Sequence, residues 1–310
     1  MKLLIGVTNM SIQFKFIGEG RSAGYPYEFD YDGYQIHFQK IVPRLSRSMA
    51  DFFNKIQLHD ESLGGIIGYP DKSVKLFFGR GDRIRLENAK VLVETSLSPI
   101  RPNLYAMGDE NTMGTVWLVD ELLLDSDNAF RWNVLTELGS ISFRFQNLQH
   151  SIEEILPIGV SCEFNFKFYN DMSMDDLNSE KFTKKEAEYA SSLSSLSSFP
   201  SNLYNALCRK RFSLIPVQQI IEYGNRTVEI HFYNSQKLSF ANVSSPAVSA
   251  NPVIDLYNRY GLRVWYFDDA PPWLYHEVHI EDNQYCLIAQ IGGTKISFAF
   301  AEVVLFGKMR

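Results

Sequence analysis

Residues 296–301 read Ile-Ser-Phe-Ala-Phe-Ala, with a large apolar side chain at every second position. Successive side chains of a β-strand point to opposite faces of the sheet, so this alternation is typical of a strand with one buried face. Four other segments show the same pattern: Ile12–Phe16, Ile141–Phe145, Phe164–Phe168 and Val228–Phe232. Because the repeated apolar residue is most often phenylalanine, the pattern predicts antiparallel strands packed on an aromatic core.

Helical patterns are fewer than strand patterns. Ser46 to Ile56 carries apolar residues at three-to-four spacing, and Thr183-Lys-Lys-Glu186 has the capping-box pattern that opens a helix to about Leu196. Two more short helices are predicted over Asn202–Phe212 and Val253–Tyr260. Strands that do not alternate strictly with helices predict an α+β fold, built of predominantly antiparallel β-sheets with a few short helices in two packed subdomains.

The 310 residues exceed the roughly 150 of a typical single domain. Between Asp171 and Ser201 the sequence becomes acidic and then rich in serine, which is typical of a surface connection. We therefore predict a β-rich N-terminal unit at 1–172 with one or two short helices. A helical, serine-rich connecting segment at 173–201 and a C-terminal α+β unit at 202–310 would follow. Inspection of the sequence does not reveal a convincing internal repeat.

The overall charge is mildly acidic, with 30 basic and 36 acidic residues and a net charge of −6. Proteins that bind nucleic acids through phosphates usually carry a basic surplus, so the net charge does not support nucleic-acid binding. The apolar runs are too short for a transmembrane segment. The three cysteines have neither disulfide nor zinc-ligand spacing, which predicts reduced thiols and a cytoplasmic location.

One group of charged residues has the composition of a nuclease site. Asp120 and Glu121 follow the strand-like Val116–Val119, and Lys90 belongs to a segment predicted as a neighbouring strand. Two or three carboxylates that hold a cation, with a lysine nearby, are typical of metal-dependent phosphodiesterases. This reading predicts Asp120, Glu121 and Lys90 as catalytic residues, with Mg²⁺ or Mn²⁺ as the cofactor. The alternative is a set of solvated acidic loops.

A second group lies between Trp265 and Asp282. On a strand, Glu277, His279 and Glu281 would share one face, where they could hold a metal ion or make His279 a general base. The alternative is a solvent-facing row on an edge strand. Trp265 and Trp273 are predicted to be exposed anchors for a protein partner.

A short basic run remains at Arg209, Lys210 and Arg211. These side chains could bind phosphate or an acidic partner. The alternative is a solvated helix end, where positive charge is favourable.

Three functions follow from these features. The first is an intracellular interaction or assembly protein that acts through protein–protein contacts, with a partner or with itself, as part of a larger complex. The second is a metal-dependent phosphodiesterase or nuclease, for example of a defence or mobile-element system. The third is a pore-forming protein. The sequence leaves open whether the chain is an enzyme and which cofactor it would use.

Overall fold

The computed structural model divides the chain into two compact units, Met1–Glu153 and Glu154–Arg310. It describes residues 12–19, 27–69, 71–95, 104–106, 115–125, 129–137, 139–156, 164, 166–170, 172–195, 207, 214–281 and 284–306. The division follows Glu153, well before the boundary predicted at 172. The segment predicted as a connection, 173–201, belongs to the second unit because its helix packs on that unit's own aromatic residues.

The elements of the first unit are, in order, β1 (Ile17–Glu19), β2 (Tyr27–Phe29), α1 (Tyr31–Ile41), α2 (Arg47–Lys55), β3 (Ser62–Gly68), β4 (Val74–Phe78), β5 (Asp82–Glu87), β6 (Lys90–Thr95), β7 (Leu104–Ala106), β8 (Thr115–Leu124), β9 (Phe130–Thr136), β10 (Gly139–Phe145) and β11 (Asn147–Ile152). A short 3₁₀ helix, Val42–Arg44, joins α1 to α2.

The elements of the second unit are, in order, α3 (Glu180–Ser195), β12 (Val217–Tyr223), β13 (Thr227–Phe232), β14 (Lys237–Ala241), β15 (Ala247–Val248), β16 (Ile254–Asp255), α4 (Tyr257–Tyr260), β17 (Leu262–Tyr266), β18 (Trp273–Glu281), β19 (Gln284–Ile291), β20 (Thr294–Phe300) and β21 (Glu302–Phe306). A 3₁₀ helix, Met174–Asn178, precedes α3.

The strands are antiparallel throughout the described pairings, so the α+β prediction with antiparallel sheets is confirmed. In the first unit the strand order is β11-β5-β4-β3-β8-β9-β10-β6, and β7 also pairs with β3. In the second unit β16-β17-β12-β13-β14-β21 forms one sheet and β15-β20-β19-β18 forms another. Each unit has its own aromatic core, as the alternating phenylalanines predict.

The two units share much of one topology, although β3 pairs with β8 in the first unit whereas β12 and β18 belong to separate sheets in the second. In the first unit, β3-β4-β5 form one meander and β8-β9-β10 form a second one. In the second unit, β12-β13-β14 form the first meander and β18-β19-β20 form the second. The last strand, β11 or β21, returns to the third strand of the first meander, β5 or β14. In the first unit, the strand after this meander, β6, pairs with β10, and β7 pairs with β3. In the second unit, the strand after the meander, β15, pairs with β20, and β17 pairs with β12.

The repeat extends to single residues. A register shift lies between Leu63 and Gly65 of β3 and recurs between Val217 and Gln219 of β12. A second shift follows Trp117 of β8 and recurs after Trp273 of β18. Such irregularities are local and specific, so their recurrence at matching positions indicates an internal duplication. The sequence-based expectation that the chain lacks a repeat is therefore wrong.

Three of the five alternating segments are strands as predicted, namely those in β10, β13 and β20. The other two are not strands. Described residues from Ile12 to Phe16, and those near Phe166–Phe168, have no ladder partner. We name these segments arm 1 (residues 12–16) and arm 2 (residues 166–169). The backbone N–H groups of Lys15 and Phe16 in arm 1, and of residues 167–169 in arm 2, bind a glutamate side chain.

The helix over Ser46–Ile56 is confirmed as α2, whose N-cap Ser46 accepts a hydrogen bond from the Met49 amide. The structure also contains α1, which the sequence analysis missed because Gly33 and several aromatic residues weaken its helical pattern. Asp30 caps this helix by accepting a hydrogen bond from the Gly33 amide. The helix predicted over Val253–Tyr260 is shortened to α4 by strand β16. The predicted helix over 202–212 lies outside the described residues, apart from Leu207.

Candidate functional site

Glu121, one of the predicted catalytic residues, is a buried anchor for arm 1. Its side chain is fully buried, and its carboxylate accepts the backbone N–H of Lys15 at 2.9 and 3.0 Å and that of Phe16 at 2.8 Å. The Asn133 amide group donates a further hydrogen bond at 3.0 Å. Ser142 in turn donates to Asn133 at 2.7 Å, which fixes the orientation of that amide. The carboxylate therefore holds arm 1 through its main chain.

Asp120 points to the opposite side of β8 from Glu121. Its two carboxylate oxygens accept the indole N–H groups of Trp117 at 2.8 Å and Trp132 at 2.7 Å. Burial raises the pKa of Asp120, and the two indole donors offset part of that effect. Asp120 therefore joins two tryptophans of the aromatic core, whose rings lie 4.9 Å apart between centroids.

The predicted catalytic set does not converge on one point. Lys90 is exposed on β6, opposite Arg144, and strands β9 and β10 lie between β6 and β8. Adjacent residues of a strand face opposite ways, which separates Asp120 from Glu121. The grouping of Asp120, Glu121 and Lys90 is therefore corrected.

Glu277 occupies in the second unit the position that Glu121 has in the first. It is fully buried on β18 and accepts the backbone N–H groups of Lys167, Phe168 and Tyr169 at 2.8, 2.6 and 2.7 Å. Burial raises the pKa of Glu277, but His279 and the three amides lower it by more, so the pKa lies below its ordinary value. A carboxylate with this many donors is ionised and holds arm 2.

His279 lies beside Glu277, as the strand alternation predicts, but both are buried, so they do not form a solvent-facing row. The imidazole Nε2 lies 2.9 Å from Glu277 Oε2, and this contact helps to lower the pKa of Glu277. Glu281 is the last residue of β18, and its side chain lies outside the described residues. Within the part of the chain that the structure describes, no group of three or more His, Cys, Asp and Glu side chains is placed to hold a metal ion.

Trp265 and Trp273 are buried in the core of the second unit, so the prediction that they are exposed anchors is wrong. The Trp265 indole donates to the Ala250 carbonyl at 3.0 Å. The Trp273 indole donates to His276 Nδ1 at 3.2 Å, and His276 Nε2 lies 2.8 Å from the Leu207 carbonyl. Because Nδ1 accepts, Nε2 carries the proton and His276 is neutral. Arg209, Lys210 and Arg211 lie outside the described residues.

The sequence analysis did not predict that the backbone of arm 1 binds Glu121 and that of arm 2 binds Glu277. The signal was a pair of matching motifs. Phe-Lys-Phe occurs at 14–16 and at 166–168, and Trp-Leu-x-x-Glu occurs at 117–121 and at 273–277. The first Phe-Lys-Phe segment, in arm 1, binds Glu121, which is the last residue of the first Trp-Leu-x-x-Glu motif. The second, in arm 2, binds Glu277, which is the last residue of the second motif.

Comparison with models of known protein families and with the sequences of curated proteins gives no match. Among the described residues, the helices are too short or too polar to span a membrane.

The outermost strands of the sheets carry exposed apolar side chains. These are Leu92 on β6, Ile152 on β11, Ile280 on β18, and Val304 and Phe306 on β21. Ile152 is 73% exposed, and Val304 and Phe306 are each 49% exposed. Each of these outermost strands therefore combines a main-chain edge with exposed apolar side chains.

A largely buried ionic cluster on β12, β13 and β14 lies next to β21. Glu229 accepts hydrogen bonds from Lys237 at 2.6 Å and from Tyr223 at 3.0 Å, and it lies 2.9 Å from His231 Nε2. Burial raises the pKa of Glu229, but His231 and Lys237 lower it by more, to about 2.

We expect Glu229→Gln to remove a pH-dependent part of the stability. The pKa of Glu229 is lower in the folded state than its unfolded value of 4.5, so the ionised carboxylate stabilises the native state at pH values above 4.5. This stabilisation is lost as the pH falls towards about 2. The difference in free energy of unfolding between wild type and variant should therefore be about 3 kcal/mol near neutral pH and should shrink below pH 4.5. Urea titrations across this pH range measure it. A difference that stays constant with pH would contradict the prediction.

Proposed function

We propose that this chain is an interaction or assembly protein that acts through protein–protein contacts as part of a larger complex. The observation that carries the proposal is the position of its exposed apolar side chains. Of the ten large apolar residues described as exposed, five lie on outermost strands: Leu92, Ile152, Ile280, Val304 and Phe306. A cytoplasmic location is part of the same proposal.

Edge strands are natural docking sites because one side of their main chain is not bonded within the sheet. An added strand from another chain gains main-chain hydrogen bonds, and exposed side chains on the edge give the contact its specificity. Apolar residues at such positions remove more surface from water when a partner binds than polar residues would.

The buried acidic groups also fit this proposal. Glu121 and Glu277 use their carboxylates to hold the chain's own arms, and Asp120 accepts two indole N–H groups. Each of these residues therefore has a structural task in its unit.

Site-specific photo-crosslinking tests the proposal. A benzophenone amino acid is introduced at Leu92, Ile152, Ile280 or Val304, one position at a time, in the cells that naturally produce the protein. Contact with a partner should give covalent adducts of defined mass at one or more of these positions. Mass spectrometry of the adducts identifies the partner, including a second copy of the chain.

Ile36 is the matched control, since it is apolar and 62% exposed but lies on helix α1. The proposal predicts edge-specific adducts that Ile36 does not give. If every edge position gives no more adduct than Ile36, the proposal is wrong.

A further inference from the structure

Strand β21 differs from its counterpart in the first unit in a way that the fold does not require. The register places Leu148 of β11 opposite Leu86 and Val303 of β21 opposite Phe240, so β11 and β21 are equivalent edge strands. At two exposed positions that the strands share, β11 has Gln149 and Ser151, whereas β21 has Val304 and Phe306; β11 ends on the exposed Ile152.

This contrast indicates a use for the apolar edge. One topology tolerates polar residues at these positions in the first unit, so folding alone does not explain valine and phenylalanine in the second. Edge strands are usually protected by proline, by bulges or by charged side chains in their middle. Strand β21 reads Glu-Val-Val-Leu-Phe, and its regular pairing with β14 has no register shift. Among the described strands, only β14 pairs with it.

The strand is complementary to a second copy of itself. An antiparallel pair centred on Val304 places this residue opposite Val304 of the other copy, and Glu302 opposite Phe306. Within its own sheet Phe306 lies opposite Lys237, whose Nζ is 5.0 Å from the centre of the phenylalanine ring. Across the contact, Lys237 and Phe306 of one copy and Glu302 of the other copy would therefore lie side by side in one row.

Lys237 already donates to Glu229 at 2.6 Å, and Glu302 of the other copy would be a second carboxylate beside the same ammonium group. Strands are about 4.8 Å apart, so the backbones of Lys237 and the facing Glu302 would be about 10 Å apart, within the combined reach of the two side chains. The two-fold symmetry of the pair creates the row twice. Opposite charges therefore flank an apolar centre formed by Val304 and Phe306.

From these features we infer that two copies of this chain associate through β21, edge to edge and antiparallel, so that their sheets become continuous. The inference rests on the proposed interaction function and names a second copy of the chain as the partner. The two-fold contact is isologous and closes on itself, which produces a dimer rather than a fibre.

Sedimentation equilibrium of the full chain tests the inference. At micromolar concentrations the wild type should have twice the mass of one chain. Val304→Glu places two like charges face to face at the two-fold axis and should weaken dimerisation by about 100-fold or more. Gln149→Glu adds the same charge at the equivalent exposed position of β11 and should leave the dimer unchanged. Because both side chains are exposed, circular dichroism should show the native fold in both variants.

A mixture of complementary variants provides the decisive measurement. Val304→Glu and Val304→Lys should each be monomeric, whereas an equimolar mixture should recover the dimer because the facing charges are then opposite. A monomeric wild type at high micromolar concentration would overturn the inference, as would a dimer that Val304→Glu leaves intact. If the wild type is monomeric but the edge crosslinks capture other proteins, the proposed function stands and only the choice of partner is wrong.

Discussion

Replacement of Glu277 by alanine is expected to lower the free energy of unfolding of the second unit by about 3–5 kcal/mol. The carboxylate accepts the amides of Lys167, Phe168 and Tyr169 and lies beside His279. Alanine would leave these main-chain donors without their acceptor in a buried setting. It would also create a cavity, because the Glu277 side chain is fully buried.

Hydrogen exchange gives the local measurement for this variant. The amides of arm 2 should be protected in the wild type and should exchange rapidly after Glu277→Ala, even where the rest of the unit remains folded. Urea titration gives the global loss. Glu188→Ala, on the exposed face of α3, removes a glutamate of the same unit without a buried partner and should change stability by less than about 0.5 kcal/mol. Unchanged protection of arm 2 in Glu277→Ala would contradict the anchoring role.

Replacement of His276 by aspartate should destabilise the second unit by about 3–5 kcal/mol at neutral pH. His276 accepts from the Trp273 indole and donates to the Leu207 carbonyl. A carboxylate can only accept, so it would satisfy the indole but would face the carbonyl oxygen. The equivalent residue of the first unit is Asp120, which accepts from two indoles and needs no donor. The two positions are therefore equivalent in the fold but not interchangeable in chemistry.

The pH dependence identifies the cause of this loss. Burial would raise the pKa of the new carboxyl group, and its protonated form can donate to the Leu207 carbonyl. The deficit of His276→Asp should therefore shrink as the pH is lowered, because the folded state takes up a proton before the unfolded state does. His276→Gln keeps both a donor and an acceptor, shows a smaller loss and has no side-chain proton to exchange in this pH range, so the deficit of His276→Asp is measured against His276→Gln, which removes the contribution of the wild-type histidine itself. A pH-independent deficit in the aspartate variant would refute the assignment.

The duplication was present in the sequence but was not recognisable by inspection. The segments Ile-Ser-Phe-Arg-Phe at 141–145 and Ile-Ser-Phe-Ala-Phe at 296–300 match closely, as do the motifs that contain Trp117 and Trp273. The loops and helices between them differ, and alternating aromatic segments resemble one another in many β proteins. Only the shared strand order and the recurring register shifts distinguish a duplication from that general resemblance.

The candidate site was predicted only in part. The alternation correctly placed Glu277 and His279 side by side, because the period of a strand is a local property. Their burial was not predicted, nor was that of Trp265 and Trp273. A row of polar residues has the same sequence pattern whether it faces water or a packed arm, so burial depends on which segment covers it.

The periodic elements of this protein follow from local sequence alone. The two-residue period of β10, β13 and β20 and the capped amphipathic pattern of α2 arise from neighbouring residues, whose geometry is fixed by the backbone. The same period is present in arm 1 and arm 2, where long-range contacts determine the conformation instead. Their amides bind Glu121 and Glu277, which lie more than 100 residues further along the chain. A backbone N–H group is satisfied equally by a strand or by a carboxylate, so only the folded chain determines which acceptor it meets.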